Sequence, residues 1–386
     1  MVTLNPFVWD KEIEDGIGRS ELAREVALTL KAGTNIQLFG PRGTGKSTFT
    51  VDLARELSQA HGPDAGPWEC IRVDLRPVAN LGDFVTAVRD AVDHHPSKTV
   101  RRRIQSEFAT LNKDFGINLG VVRFGVSSGP RTEDLQAILT RQLRALRTLD
   151  SKVVIAFDEF QRLANCSGDP LAVIRSTLIT PAGGQETSLV LTGSLRQKLE
   201  LMLQNSTEAI WDQTHPIELP PISREEFGTY LEVRFEATKK PIDERATDHL
   251  VDLTDAHPKR TQQLAWMTWR NVAEGDTVQV EDVTDAFKEL VEDKEAPGRD
   301  FAVTYDYWLN GNKSDVNLAR ALLLIANGFS PGSPTATQHF GFDHHQTAVN
   351  ALERLEERGY VENTQREWQI VDPLFREFLR RQPEAI

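Results

Sequence analysis

Gly40-Pro41-Arg42-Gly43-Thr44-Gly45-Lys46-Ser47 satisfies the pattern G-x-x-x-x-G-K-[S/T] at every position. The apolar run 35–39 leads into it and reads as a strand, and a stretch of helical character from 46 to about 57 leaves it. Strand, glycine-rich turn and helix in that order make an anion cradle. Glycines let backbone N–H groups turn inward around phosphates, and a helix N-terminus adds partial positive charge. Lys46 brings a full charge to the terminal phosphates. The Ser47 hydroxyl is a ligand for Mg2+, a cation that keeps most of its waters. The whole loop, with Thr48 behind it, is therefore expected to bind nucleotide, ATP or ADP.

A second stretch completes that chemistry. Val153-Val154-Ile155-Ala156-Phe157-Asp158-Glu159 is a continuous apolar run ending in two acids. Such a run reads as a strand buried on both faces, and ligands sit at the carboxyl ends of strands in parallel sheets. Asp158 is expected to hold Mg2+ through water. Glu159 is expected to orient and deprotonate the water that attacks the γ-phosphate in line. Away from a phosphate loop, the same two acids would read as the cap of the next helix. A third run, Leu189-Val190-Leu191-Thr192-Gly193-Ser194, ends in small polar residues. Thr192 or Ser194 is placed to sense the γ-phosphate or the water, and a plain polar turn is the other reading.

Outward from these motifs, the segments 69–75, 152–157 and 188–192 read as further strands. Helical periodicity lies between them: Leu135, Ile138, Leu139, Leu143 and Leu146 share one face. Strand–helix alternation predicts an α/β core with a mainly parallel sheet covered by helices. Residues 1–221 are assigned to this core, with an insert at 98–130 in which Arg101-Arg102-Arg103 precedes a possible hairpin over 115–127. After Leu219-Pro220-Pro221 the texture becomes helical. Ser223 to Glu226 is a capping box that opens a lid over 222–293. Residues 294–314, rich in Gly and Asn, read as a connector, although Phe301, Tyr305, Tyr307 and Trp308 suggest that part of it packs down. Residues 315–386 read as three helices, a two-strand wing and a closing helix.

Composition narrows the function. Acidic residues number 57 against 44 basic, for a net charge of -13, which argues against a protein that coats nucleic acid without specificity. Cys70 and Cys166 lack metal-ligand spacing and read as reduced thiols. His94-His95 and His344-His345 are adjacent pairs that cannot share a helix face, and no metal cluster of histidines is read. No apolar run approaches the ~18 residues of a spanning helix, and no N-terminal leader is read, so a cytoplasmic protein is expected.

The loop, the Asp158-Glu159 pair and the Thr192–Ser194 strand end, in this order and spacing, resemble the AAA+ and STAND group of P-loop ATPases. The likeness is nearest to the prokaryotic archaeal-type ATPases, whose architecture is shared with origin-recognition ATPases. Gly18-Arg19 followed by Glu21 resembles the G-R-x-E box that in the family packs near the adenine. The segment from Ile217 to Ser223, with Phe227, resembles the crossing into the lid, and the segment from His257 to Leu264 resembles the lid helix that faces the nucleotide. The resemblance implies that the Asp158 strand lies beside the Ser194 strand, that Arg19 and Arg260 touch nucleotide, with Lys259 as the second choice in the lid, and that the last unit is a winged helix-turn-helix. One departure stands out. The stretch 205–213, where many AAA+ oligomers carry an arginine for a neighbour's γ-phosphate, has none, and Arg196 is the nearest upstream. That favours slow hydrolysis over a fast ring motor.

Two functions remain open at this point, beside a weaker third, a nucleotide-binding scaffold with negligible hydrolysis. One is an ATP-driven conformational switch that reports through the winged-helix module to its own chain or a protein partner, with assembly on ATP binding compatible with it. The other is a DNA-binding ATPase whose winged helix and insert contact duplex. In the module, Asp343 is expected to cap the third helix, Ala348, Leu352 and Leu355 to face the core, and Gln346, Asn350, Glu353 and Glu357 to face outward. Gln346 and Asn350 can read base edges, but the two glutamates repel phosphates. Seven Arg and no Lys stand against ten acids across 315–386, so the module offers little of the phosphate neutralisation on which DNA affinity rests.

Overall fold

The computed structural model describes residues 4–13, 16–59, 68–115, 131–147, 152–179, 187–194, 202, 214–293, 296, 300–364 and 367–383. The chain divides into two compact units. One comprises residues 20–40 and 46–219; the other comprises residues 1–19, 41–45 and 220–386.

The first of these is built on five parallel strands: β1 (Asn35–Phe39), β2 (Glu69–Asp74), β3 (Val153–Asp158), β4 (Thr187–Gly193) and β5 (Thr214–Glu218). Their order is β2-β3-β4-β1-β5, so the Asp158 strand does lie beside the strand that ends before Ser194. The period-2 alternation of a strand explains how one apolar run serves two faces. Ile155, Phe157, Leu189 and Leu191 pack with Phe84 and Val88 of α3 (Leu81–Asp93) and with Leu139 and Leu143 of α5 (Thr132–Arg147). On the other face Val154, Ala156, Val190, Ile36 and Leu38 pack with Val26 and Leu30 of α1 (Ser20–Lys31) and with Phe49 and Leu53 of α2 (Lys46–Ser58). The helix α4 (Lys98–Phe115) fills the start of the expected insert. It carries Arg101 half-buried, with Arg102 and Arg103 exposed. The hairpin expected over 115–127 lies outside the described residues beyond Phe115, as do the stretch 205–213 and Arg196. A short helix α6 (Pro170–Ile174) precedes β4.

In the other unit, the box predicted at the lid entrance is formed: the Ser223 hydroxyl accepts from the Glu226 N–H at 3.1 Å, and the Glu226 carboxylate accepts from the Ser223 N–H at 3.2 Å. It opens α7 (Arg224–Ala237), followed by α8 (Glu244–Leu253), α9 (Pro258–Asn271) and α10 (Val280–Glu292). The expected connector contains a helix, α11 (Asp300–Leu309). Phe301, Tyr305 and Trp308 recur at i, i+4 and i+7, which is one helical face. Phe301 stacks on Phe375 at 5.5 Å, Tyr305 meets Phe378 edge-on at 5.7 Å, and Trp308 meets Tyr360 at 5.0 Å. One continuous core therefore runs from Phe227, Leu250 and Leu264 to Leu322, Leu352 and Phe375, and the boundaries expected at 294 and 315 fall inside it.

The C-terminal stretch follows as α12 (Lys313–Ala326), α13 (Pro334–His339), α14 (His345–Glu356), the antiparallel pair β6 (Val361–Thr364) and β7 (Glu367–Ile370), and α15 (Pro373–Arg380). Ala348, Leu352 and Leu355 are fully buried, and Gln346, Asn350, Glu353 and Glu357 are exposed. The cap of α14 differs from the expected one. His344 holds that position without a side-chain hydrogen bond, and Asp343 instead approaches Lys313 Nζ at 3.6 Å. The helix α12 starts earlier than its apolar run because Asn312 caps it through the Ser314 and Asp315 N–H groups. No described helix is long and apolar enough to cross a membrane.

Candidate functional site

Three strands of the sheet bring the expected site residues to their carboxyl ends. Gly40 follows β1, and Lys46, only 5% exposed, begins α2. The Lys46 ammonium turns back and donates to the Gly40 carbonyl at 2.7 Å. Ser47 and Thr48 are half-buried in the first helical turn. Ser47 Oγ donates to Asp158 Oδ2 at 2.8 Å, and Thr192 Oγ1 donates to Asp158 Oδ1 at 2.5 Å. A hydroxyl from the loop helix and one from β4 thus hold the two oxygens of the acid that ends β3.

Glu159 is the next residue and sits at φ 59, in the left-handed region that non-glycine residues rarely occupy. A side chain there costs about 1 kcal/mol. The turn is what separates the surroundings of two consecutive acids: β3 ends, a 3-10 helix (Phe160–Asn165) begins, and the Glu159 carboxylate leaves the Asp158 cluster. Its Oε2 accepts from Ser194 Oγ at 2.8 Å and from the Gln161 side-chain amide. Gln161 carried no signal that marked it in the sequence. Arg72 of β2 was missed as well. It donates to Thr50 Oγ1 at 3.1 Å and to the Ser47 carbonyl at 3.4 Å, and so braces the first turn of α2. Asp74, the register partner of Asp158, is chelated by Arg76. Burial pushes the Asp74 carboxyl up, but the Arg76 hydrogen bonds and charge outweigh it and hold the group below its ordinary range.

Residues 41–45 of the loop belong to the other unit, and that unit surrounds them closely. Gly43 and Gly45 adopt φ of 82 and 91. A Cβ on Gly43 would lie 2.6 Å from His257 Cε1, so only glycine fits. His257 is the cap of α9. Its Nδ1 accepts from the Arg260 N–H at 3.3 Å, which leaves the proton on Nε2 to donate to the Arg42 carbonyl at 3.2 Å. Burial first, and then the Arg260 charge, lower the His257 pKa against the opposing pull of Asp372, consistent with that neutral tautomer. The Lys259 N–H donates to the Gly43 carbonyl at 3.3 Å. Arg19 is buried, and its guanidinium donates to the Thr44 carbonyl at 2.6 Å and to the Pro220 carbonyl.

Residues 29–202, which contain the loop, both acids and Ser194, match the family model of the AAA domain. Among solved structures, the chain is similar to the Walker-type ATPase of Pyrococcus abyssi, with 17% identity over 96% of this chain and 97% of that one, at a TM-score of 0.60. It is also similar to the ORC2 protein of Aeropyrum pernix in its ADPNP–ADP complexes, with 15% identity over 98% and 97% of the two chains, at a TM-score of 0.61. The ADP form of that ORC2 protein gives 15% identity, 97% coverage of both chains and a TM-score of 0.57. At such identities the likeness is one of fold. No curated protein matches the chain in sequence.

Arg260, expected as a nucleotide contact, packs in this structure among the C-terminal elements. It is 2% exposed, and its guanidinium grips the Asp372 carboxylate through Nε at 2.8 Å and through NH2 at 2.5 Å. Asp300 lies at 3.6 Å, Gln263 Oε1 accepts at 2.6 Å, and the Phe301 ring lies 5.2 Å away. Asp372 also caps α15 through the Leu374 and Phe375 N–H groups. His257 and Lys259 meet the loop, whereas Arg260 is turned along the helix into the C-terminal elements. Burial raises the Asp372 carboxyl, but the Arg260 charge and hydrogen bonds overcome that and hold it below its ordinary range.

Asp372→Asn keeps the cap and removes the charge, so it isolates the pair. It is expected to destabilise this unit by about 2–4 kcal/mol, because it strands a buried guanidinium. Denaturant unfolding of the two full-length proteins measures the difference. A folded-state value below the unfolded one means that the contribution is complete above the ordinary carboxylate range and lost as pH falls through the depressed value. The gap between wild type and Asp372→Asn is therefore expected to close only in strong acid. A gap below 0.5 kcal/mol at neutral pH would show that the pair is decorative.

Proposed function

We propose that the chain binds ATP with Mg2+ and hydrolyses it slowly, as a nucleotide-dependent switch. The observation that carries this is the division of labour between consecutive acids: Asp158 is held by Ser47 and Thr192, and Glu159 is turned away to a separate hydroxyl and amide. Ser47 Oγ and Asp158 Oδ2 are hard oxygen donors 2.8 Å apart, and no group of three or more His, Cys, Asp or Glu able to hold a metal occurs among the described residues. That donor set fits Mg2+, which is usually bound by one or two protein oxygens plus phosphates and water. Ser47 would hold the ion directly and Asp158 through water, and the ion would supply neutralising charge to the phosphates.

Hydrolysis then follows from the side chains. Lys46 and the loop N–H groups hold the phosphate chain. The oxygen of a water bonds to the γ-phosphorus as the bond to the β–γ bridging oxygen breaks, and ADP keeps that electron pair. Glu159 accepts the water proton, which later leaves with phosphate.

The switch reading is supported by contacts within one unit: the loop carbonyls of Arg42 and Gly43 are held by His257 and Lys259, and the next residue, Arg260, holds the cap of α15. A change in loop conformation on ATP binding thus has a short physical route to the winged helix-turn-helix, which we assign to 315–386. Docking of that module to its own chain or to a protein fits its outward face better than DNA does, because Glu353 and Glu357 are exposed there and Gln346 is hydrogen-bonded to Asn350 at 2.8 Å. The test is phosphate release by the full-length protein with ATP and Mg2+, with and without duplex DNA. Measurable turnover indifferent to DNA is expected. No turnover under any condition overturns the hydrolytic reading, and tight, salt-sensitive DNA binding with stimulation establishes the DNA-binding alternative.

A further inference from the structure

We propose that Gln161 is a positioning residue for hydrolysis: its amide, together with the Ser194 hydroxyl, anchors one oxygen of Glu159 and leaves the other to the attacking water. The inference rests on the reading of Glu159 as the base. Gln161 lies in the first turn of the 3-10 helix that follows Glu159 and is 5% exposed. Its Nε2 donates to Glu159 Oε2 and lies 3.2 Å from Ser194 Oγ, which itself donates to Glu159 Oε2 at 2.8 Å. Both donors converge on the same carboxylate oxygen. Glu159 Oε1 takes no hydrogen bond from the described residues. A flipped amide would set oxygen against carboxylate oxygen, so charge dictates the orientation.

The terminal torsion of a glutamate is broad and two-fold. A base on such a swivel spends much of its time misaligned, and alignment of the reacting atoms is where large rate factors arise. Two donors on Oε2 remove that freedom without occupying Oε1. The fold carries a penalty for it: Gln161 Oε1 is buried without a partner. An unmade hydrogen bond at a buried acceptor is destabilising, and an apolar side chain of similar length would avoid it. The flanking residues Phe160 and Leu163 face the core, so packing at this turn does not depend on the amide. What the amide visibly does is hold Glu159.

Gln161→Met in the full-length protein separates this from a structural role. The expected result is a fall in kcat of about 10- to 100-fold with KM for ATP changed less than about twofold, beside a Tm equal to or above wild type. Introduced into Glu159→Gln, the same change is expected to leave the residual single-turnover rate unaltered, because a residue acting through Glu159 has nothing left to act on. An unchanged or raised kcat overturns the proposal, the latter because it would make the amide a restraint. So does a parallel loss of ATP affinity and Tm, or a further fall in the double variant. Wild-type turnover by Glu159→Gln would remove the base assignment itself. Inactive Glu159→Gln beside fully active Gln161→Met would remove only the role of Gln161.

Discussion

Glu159→Gln is expected to bind ATP as tightly as wild type and to hydrolyse it about 10²- to 10⁴-fold more slowly, the range that general acid–base catalysis supplies. The substitution is isosteric. An amide at 159 can still face the Ser194 hydroxyl and the Gln161 side chain that meet Glu159 Oε2, so the turn at φ 59 keeps its contacts. What is lost is the ability to take a proton from water as the bond to phosphorus forms. Asp158, one residue earlier, cannot replace it, because both its oxygens are held by Ser47 and Thr192. The change therefore falls on kcat and not on affinity. Single-turnover phosphate release measured beside nucleotide titration separates the two. Hydrolysis at the wild-type rate would mean that another group activates the water.

The strand–turn–helix around the loop and the strand that ends at the acid pair were legible because their rules are local. A strand, a glycine-rich turn and a helix are contiguous, and the run 153–159 declares both a buried strand and its carboxyl end. The sheet order followed from the resemblance they carry. Orientation around a helix was harder to read. His257, Lys259 and Arg260 are near neighbours in sequence, and each step around an α-helix turns a side chain by ~100°. The His257 ring and the Lys259 backbone N–H meet the loop, and the Arg260 side chain faces Asp372, 112 residues later. Nothing in a one-dimensional pattern says which of these neighbouring polar groups faces the loop. Gln161 was hidden differently. It is two residues from Glu159, a spacing that puts side chains on different faces of an α-helix and leaves them ~7 Å apart along one face of a strand, whereas here a left-handed residue followed by a 3-10 turn brings them into hydrogen-bond contact. In the stretch read as a connector, Asn310, Gly311 and Asn312 mark a break, while Phe301, Tyr305 and Trp308 carry the spacing of the helix that packs down. Those asparagines lie after α11 and before α12, where a helix ends and the next is capped.

Lys46→Ala is expected to weaken ATP binding by about 10²- to 10³-fold while leaving the protein folded. The ammonium is 5% exposed at the start of α2 and donates to the Gly40 carbonyl, so it has already given up most of its hydration and is poised at the loop. A unit charge at ~4 Å from a phosphate oxygen is worth about 4 kcal/mol at an effective dielectric of ~20, and 1.4 kcal/mol is a factor of ~10 in affinity. The loop N–H groups and the α2 N-terminus remain in the variant, which is why binding is weakened and not erased. Thermal unfolding without nucleotide and calorimetric titration of ATP on the same samples test both halves. Loss of affinity together with a collapse of Tm would place Lys46 in the scaffold of the loop. Unchanged affinity would mean that the phosphates are held elsewhere, and the assignment of the loop would fall with it.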